Sequence, residues 1–167
     1  MGPHRLDSAA SSALRWAALG AIAALLAGCP PPCPEPPVSL EIGTGEAAFE
    51  PIAAPLPVVN GPQGGWHVFG SLRGTGLWSG GDEPLFDGTA PTVTFGVVAE
   101  AFVAGYEDLA RPLIDTADGV ELAGELLVWD VDEPSALDGL AATLSATVID
   151  ACGVEAAATA TATLVVP

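Results

Sequence analysis

The tail from Ala156 to Val166 is rich in alanine and threonine, which alternate strictly over Ala158 to Thr163 and place Thr159, Thr161 and Thr163 on one side. Alanine content alone favours a helix. A period of two combined with β-branched threonine instead dictates an extended strand, because successive side chains then point to opposite faces. The same period recurs upstream. Val93, Phe95, Val97 and Ala99 alternate with Thr92, Thr94 and Val98, and Leu144, Ala146 and Val148 alternate with Thr143, Ser145 and Thr147. Val120, Leu122, Gly124, Leu126 and Val128 share a face, opposite Glu121 and Glu125. Gly, Pro and Asp punctuate the chain every several residues. The spacing predicts strands near 38–43, 47–52, 56–60, 65–73, 91–103, 120–129, 140–150 and 154–166. A single turn of helix is expected at Tyr106 to Ala110. With 167 residues the chain has room for one ordinary domain, and no internal repeat divides it. Short strands with regular turns imply an antiparallel β-sandwich, with a small β-barrel as the rival architecture.

The chain carries 4 basic and 21 acidic residues, a net charge of -17, and no lysine. Nucleic-acid binding is thereby excluded, since it needs cations to neutralise phosphates. Arg5 and Arg15 precede an apolar run from Trp16 to Ala27, broken only by Gly20. That run is short of the ~20 residues a membrane-spanning helix requires and fits the middle of a secretory signal peptide. It ends in Leu26-Ala27-Gly28-Cys29, which resembles the lipobox of bacterial lipoproteins. The resemblance implies cleavage before Cys29, a diacylglycerol on its thiol and an acyl group on its new amine. Two or more chains anchor a protein stably where one does not.

The expected organisation is a signal peptide over 1–28, a lipid-anchored Pro-rich linker over 29–37 and a β-sandwich domain over 38–167. Pro30-Pro31-Pro32-Cys33-Pro34-Glu35-Pro36-Pro37 reads as polyproline II, a semi-rigid spacer of ~3.1 Å per residue or roughly 25 Å in all. Pro30 follows the cysteine where an Asp would resemble an inner-membrane retention signal, so the outer membrane is the expected location. Of the 21 acids only Asp7 precedes Cys29. The mature chain keeps Arg73 and Arg111 against 20 carboxylates, which favours solubility and repulsion from anionic lipid.

Val148-Ile149-Asp150-Ala151-Cys152-Gly153-Val154 resembles the last hairpin of immunoglobulin-like bacterial surface domains. That resemblance implies an immunoglobulin-like sandwich, in which the chain start and the last hairpin loop share one end. With Cys29 acylated, Cys33 and Cys152 remain as an even pair in an oxidising compartment, and the implied fold lets them form a disulfide. Two free thiols are the alternative.

Asn60-Gly61-Pro62-Gln63-Gly64-Gly65-Trp66-His67 contains a Gly-x-Gln-Gly-Gly-x-His stretch that resembles a segment of uncharacterised bacterial lipoproteins. It reads as a hairpin loop tolerant of positive φ. Trp66, Val68 and Leu72 face one side of the following strand, and His67, Phe69, Ser71 and Arg73 the other. Gln63, Trp66, His67 and Arg73 are the candidate recognition residues; the competing reading has Trp66 in the core and the polar pair bonded locally. No Lys-Ser/Thr ending makes it a phosphate loop.

Catalytic raw material is sparse. After processing, His67 is the only histidine, and no serine sits in a Gly-x-Ser-x-Gly elbow. Asp130, Asp132, Glu133 and Asp138 place hard oxygens in one inter-strand loop and are the candidate calcium ligands, against a plain solvated loop; Asp82-Glu83 and Asp115 with Asp118 are weaker versions. No other cofactor is expected. The sequence thus implies a non-enzymatic binding, adhesion or structural module held to the membrane by its lipid, with an envelope protein or a glycan as partner. A small hydrolase using paired carboxylates and a calcium-stabilised surface spacer are the rival readings.

Overall fold

The computed structural model describes residues 33–35, 37–52, 55–61 and 64–167. Within them the chain forms β1 (Ser39–Thr44), β2 (Glu50–Pro51), β3 (Leu56–Pro57), β4 (Val59–Asn60) and β5 (Trp66–Thr75). A four-residue helix α1 (Pro84–Asp87) follows, then β6 (Thr92–Ala99), β7 (Phe102–Ala110), β8 (Ile114–Thr116) and β9 (Gly119–Trp129). A 3₁₀ turn over Pro134–Leu137 leads into β10 (Ala141–Ile149) and β11 (Glu155–Val165). One sheet has the order β2-β1-β5-β9-β8, with β4 beside the start of β5; the other has the order β3-β11-β10-β6-β7. The two pack face to face as an all-β sandwich, and the barrel alternative falls away. Omitting the two-residue strands, β1-β5-β9-β8 against β11-β10-β6-β7 reproduces the strand order of an immunoglobulin sandwich, including the crossings between sheets.

The predicted alternation builds the core. Val93, Phe95 and Val97 from β6, Leu144 and Val148 from β10, and Val68 and Leu72 from β5 are all buried. At the centre the Phe95 ring lies 2.6 Å from where a Cβ on Gly70 would sit. Only a glycine on β5 admits that ring between the layers. Thr159, Thr161 and Thr163 are exposed, while Ala156, Ala162 and Leu164 are buried, as a strand requires.

Three expectations are corrected. The segment predicted as one strand over 91–103 is two: β6 and β7 form a hairpin in which Ala99 pairs with Phe102. Its turn residue Glu100 has φ 54, a conformation normally left to Gly, Asn or Asp, so no turn signal marks it. The helical turn expected at Tyr106 to Ala110 is the second half of β7; its bulge at Asp108 (φ 49) disturbs the alternation. The stretch 56–60 divides between sheets, β3 pairing in parallel with β11 and β4 pairing with β5. The interlayer edge between β7 and β9 is closed by a charged cluster. Arg111 Nε donates to Glu125 Oε2 at 3.1 Å, and the guanidinium lies 5.1 Å from the Tyr106 ring centroid. Burial first, then the Glu125 carboxylate, push the Tyr106 phenol well above its ordinary pKa.

Cys33 and Cys152 are joined by a disulfide across a sequence separation of 119. It fastens the chain ahead of β1 to the turn between β10 and β11. Loop-closure arguments value a link over that length at about 4–5 kcal/mol. The same turn is built on Asp150, which is buried. Its Oδ1 accepts from the amides of Cys152 and Val154, both at 2.9 Å. Its Oδ2 accepts from the Trp78 amide at 2.8 Å and so fixes the β5–β6 connection to the same end of the sandwich. Asp150→Ala strands three amides and should lower stability by about 3–5 kcal/mol, with the melting temperature falling by more than ~10 °C. Asp150→Asn retains the Oδ1 pair and should lose less than half as much in the same thermal melt.

Candidate functional site

A bulge decides which side chains β9 presents. Gly70 pairs with Glu125 while Leu72 pairs with Leu122, so β9 spends one more residue than β5 between the two pairs. The extra residue reverses the alternation. Val120 and Leu122 point inward as expected, but beyond Gly124 it is Leu127 and Trp129 that are buried. Leu126 and Val128, expected on the same face as Val120, are instead 51% and 47% exposed on the outer face. The reversal also turns Glu125 towards Arg111.

Gly124 makes the bulge possible. Its φ is +73, and a Cβ there would stand 2.5 Å from the Glu46 carbonyl oxygen. Its amide donates to the Gly45 carbonyl at 3.2 Å, which holds the loop between β1 and β2 over the sheet. The Ser71 hydroxyl donates to the Thr44 carbonyl at 2.6 Å, and the Thr44 hydroxyl donates to the Phe69 carbonyl at 3.0 Å. Further along, Arg73 lies 4.3 Å from the Phe49 ring centroid. The loop therefore forms a fixed wall.

That wall, the bulged strand and the turn before β5 enclose an open groove of about 590 Å³, lined by Glu46, Gly61, Gly64, His67, Phe69, Gly124, Leu126 and Val128. His67 and Phe69 contact edge to face with centroids 5.0 Å apart, opposite Val128 and Leu126 respectively on β9. The turn before β5 closes through backbone bonds from Gly61 to the Gly65 carbonyl and from Gly64 to the Gly61 carbonyl, both 3.0 Å. Desolvation lowers the His67 pKa below its ordinary 6.5, with the Glu46 carboxylate opposing in part. The imidazole is thus neutral near pH 7, able to donate from one nitrogen and accept at the other. A depression of similar volume beside β6 and β7 has Thr94, Val98, Val103, Tyr106 and Glu107 among its lining residues. It offers an aromatic ring and a carboxylate but no imidazole, so the His67 groove is the better candidate site.

The recognition residues read from the sequence are separated by the fold. His67 lines the groove, whereas Trp66 turns to the other side of β5 and packs against the core. Arg73 lies six residues along the strand from His67 and is paired with Glu41 at 2.7 Å. Gln63 lies outside the described residues, as do Cys29, the signal peptide and most of the linker. Glu46, Leu126 and Val128 were missed; the one signal that could have found the latter two is Gly124 interrupting an apolar strand.

Among the described residues, no group of three or more His, Cys, Asp or Glu side chains is placed to hold a metal ion. Asp130, Asp132, Glu133 and Asp138 are accordingly not gathered into such a group. Pro134 opens a 3₁₀ turn that carries Asp138 away, and its Oδ1 accepts from the Val166 amide at 3.0 Å. Comparison of the chain with known protein families, curated proteins and solved structures finds no match.

Two outcomes follow from this geometry. Gly124→Ala combines a left-handed backbone with a clash against the covering loop; it should cost about 2 kcal/mol or more in denaturant unfolding. For His67 the unfolded chain takes up the proton first. Its contribution to stability is full above pH 6.5 and is lost as pH falls from that value through the lower folded-state pKa. Unfolding curves across this range should show that slope reduced in His67→Gln.

Proposed function

We propose that the chain is a lipid-anchored envelope protein whose sandwich serves as a non-enzymatic binding module, with the His67 groove as its ligand site. The observation that carries the binding reading is the exposure of Leu126 and Val128 in a concavity, on a chain of net charge -17. Apolar side chains exposed together within a fixed groove are the usual composition of a ligand site. Both arginines of the domain are paired with carboxylates, so the surrounding field is negative and disfavours anionic ligands. The groove suits a neutral or cationic ligand with an apolar face and polar edge groups, such as an envelope glycan: ring faces against Phe69 and Leu126, hydroxyls to His67 and Glu46.

A hydrolase of the paired-carboxylate type needs two acids flanking the reacting bond. Among the described residues lining the groove, Glu46 is the single acid, and this favours binding over hydrolysis. The anchor reading rests on the lipobox resemblance at Cys29 and on the Cys33–Cys152 link, which suits an oxidising compartment. Among the described residues no helix is long and apolar enough to cross a membrane. An outer-membrane address rests on Pro30.

Cells fed a labelled fatty acid should incorporate it into the wild-type chain, while Cys29→Ser stays unlabelled and leaves the membrane fraction. An unlabelled wild-type product would end the anchor reading. Soluble glycan fragments from the envelope should shift the amide resonances of Glu46, Phe69 and Leu126 but not those of Thr143 and Thr161. Leu126→Glu should abolish the shifts, and unchanged groove resonances in the wild type would remove the glycan assignment.

A further inference from the structure

The connection between β5 and β6 carries the most exposed large apolar side chain of the described residues. In α1, Phe86 is 89% and Leu85 57% exposed, and no residue of that helix is buried. Exposure there does not come from a loose loop. Pro84 starts the turn, and Gly88 ends it in the left-handed conformation. The Phe86 and Asp87 amides donate to the Glu83 carbonyl at 2.8 and 3.0 Å. The Thr89 and Ala90 amides donate to the Pro84 carbonyl at 3.1 and 2.9 Å. Asp87 Oδ1 accepts from the Thr89 amide at 2.9 Å, and the Thr89 hydroxyl accepts from the Gly81 amide at 2.7 Å. The segment is a braced turn that holds two apolar side chains outward, with most of its amides already paired within the chain.

Its position says what it meets. The β5–β6 connection is tied to the Asp150 turn through the Trp78 amide, and Cys152 of that turn is joined to Cys33. Three residues lie between Cys29 and Cys33, so four Cα-to-Cα steps of at most ~3.6 Å give a covalent reach of about 14 Å. If Cys29 carries lipid, the disulfide confines this end of the sandwich to that distance from the bilayer, well inside the ~25 Å an unbridged linker would allow. The His67 groove lies towards the opposite end, near the start of β5 and the end of β9.

We propose that Leu85 and Phe86 form a wedge that inserts into the leaflet bearing the Cys29 lipid. This inference rests on the anchor reading above. An aromatic ring and a leucine on a turn whose amides are largely satisfied within the chain are suited to the acyl–headgroup boundary, where the remaining carbonyls still meet water. Asp82, Glu83 and Asp87 flank them, so insertion favours zwitterionic phosphatidylethanolamine and strengthens as salt screens the acids from anionic headgroups.

The test uses the full lipidated chain with Phe86→Trp, reconstituted into vesicles of phosphatidylethanolamine and a minor share of phosphatidylglycerol with brominated acyl chains. The emission added by the substitution should lose most of its intensity to bromine quenching, more so at high salt. Leu126→Trp, in the groove, should keep its added emission. A chain that fails to float with the vesicles overturns the anchor and the wedge together. Flotation with equal quenching at both positions, or with none at position 86, overturns the wedge alone. Phe86 is almost wholly exposed, so the substitution leaves the fold intact, which an unchanged thermal melt verifies.

Discussion

The two layers depend on one contact, the Phe95 ring of β6 seated in the space that Gly70 of β5 leaves open. A ring placed there excludes water from the centre and fixes how far along each other the sheets sit. Leu127 approaches the same point, its Cδ1 being 3.3 Å from the position a Cβ on Gly70 would occupy. It can do so because β9 has already changed its alternation. Without the extra residue beside Gly124, Leu126 and Val128 would face the core, and Leu127 and Trp129 would face water. The packed centre and the open groove are thus two results of the same backbone irregularity, viewed from opposite sides of one sheet.

Most of the architecture was legible because it rests on local periodicity. The alternation in β6, β10 and β11 survives in the structure, and the alanine-rich tail is a strand despite its composition. What escaped sequence reading was non-local or conformational. The reversal of β9 depends on which residues of β5 oppose it, and a glycine in an apolar run does not announce its φ. Glu100 turns a hairpin without turn chemistry in the sequence. Asp150 looks like one more surface acid in an acidic chain, yet three amides point at it. The candidate site was half legible. His67 was singled out and lines the groove, but its strand neighbour Trp66 was bound to lie on the other face by the very alternation that located the strand.

Among the described residues the positive inventory is sparse and has no spare members. Arg73 spends its charge on Glu41 and its flat face on Phe49, bracing the loop that walls the groove. Arg111 spends its charge on Glu125 and its face on Tyr106 at the interlayer edge. In each case a planar guanidinium satisfies a carboxylate and covers an aromatic ring at once, which a lysine ammonium does less well.

The bond between Cys33 and Cys152 also determines how the domain bears a mechanical load. A pull applied through the N-terminal segment does not arrive first at Ser39, where it could peel β1 from β5 one pair at a time. It passes through the sulfurs into the tip of the β10–β11 hairpin and runs lengthwise along both strands, against the ladder that holds β10 to β6 from Ile149 with Thr92 to Thr143 with Val98. Shearing such a ladder means breaking its bonds together rather than in succession, so tugging on one end is resisted by a whole row of pairs at once.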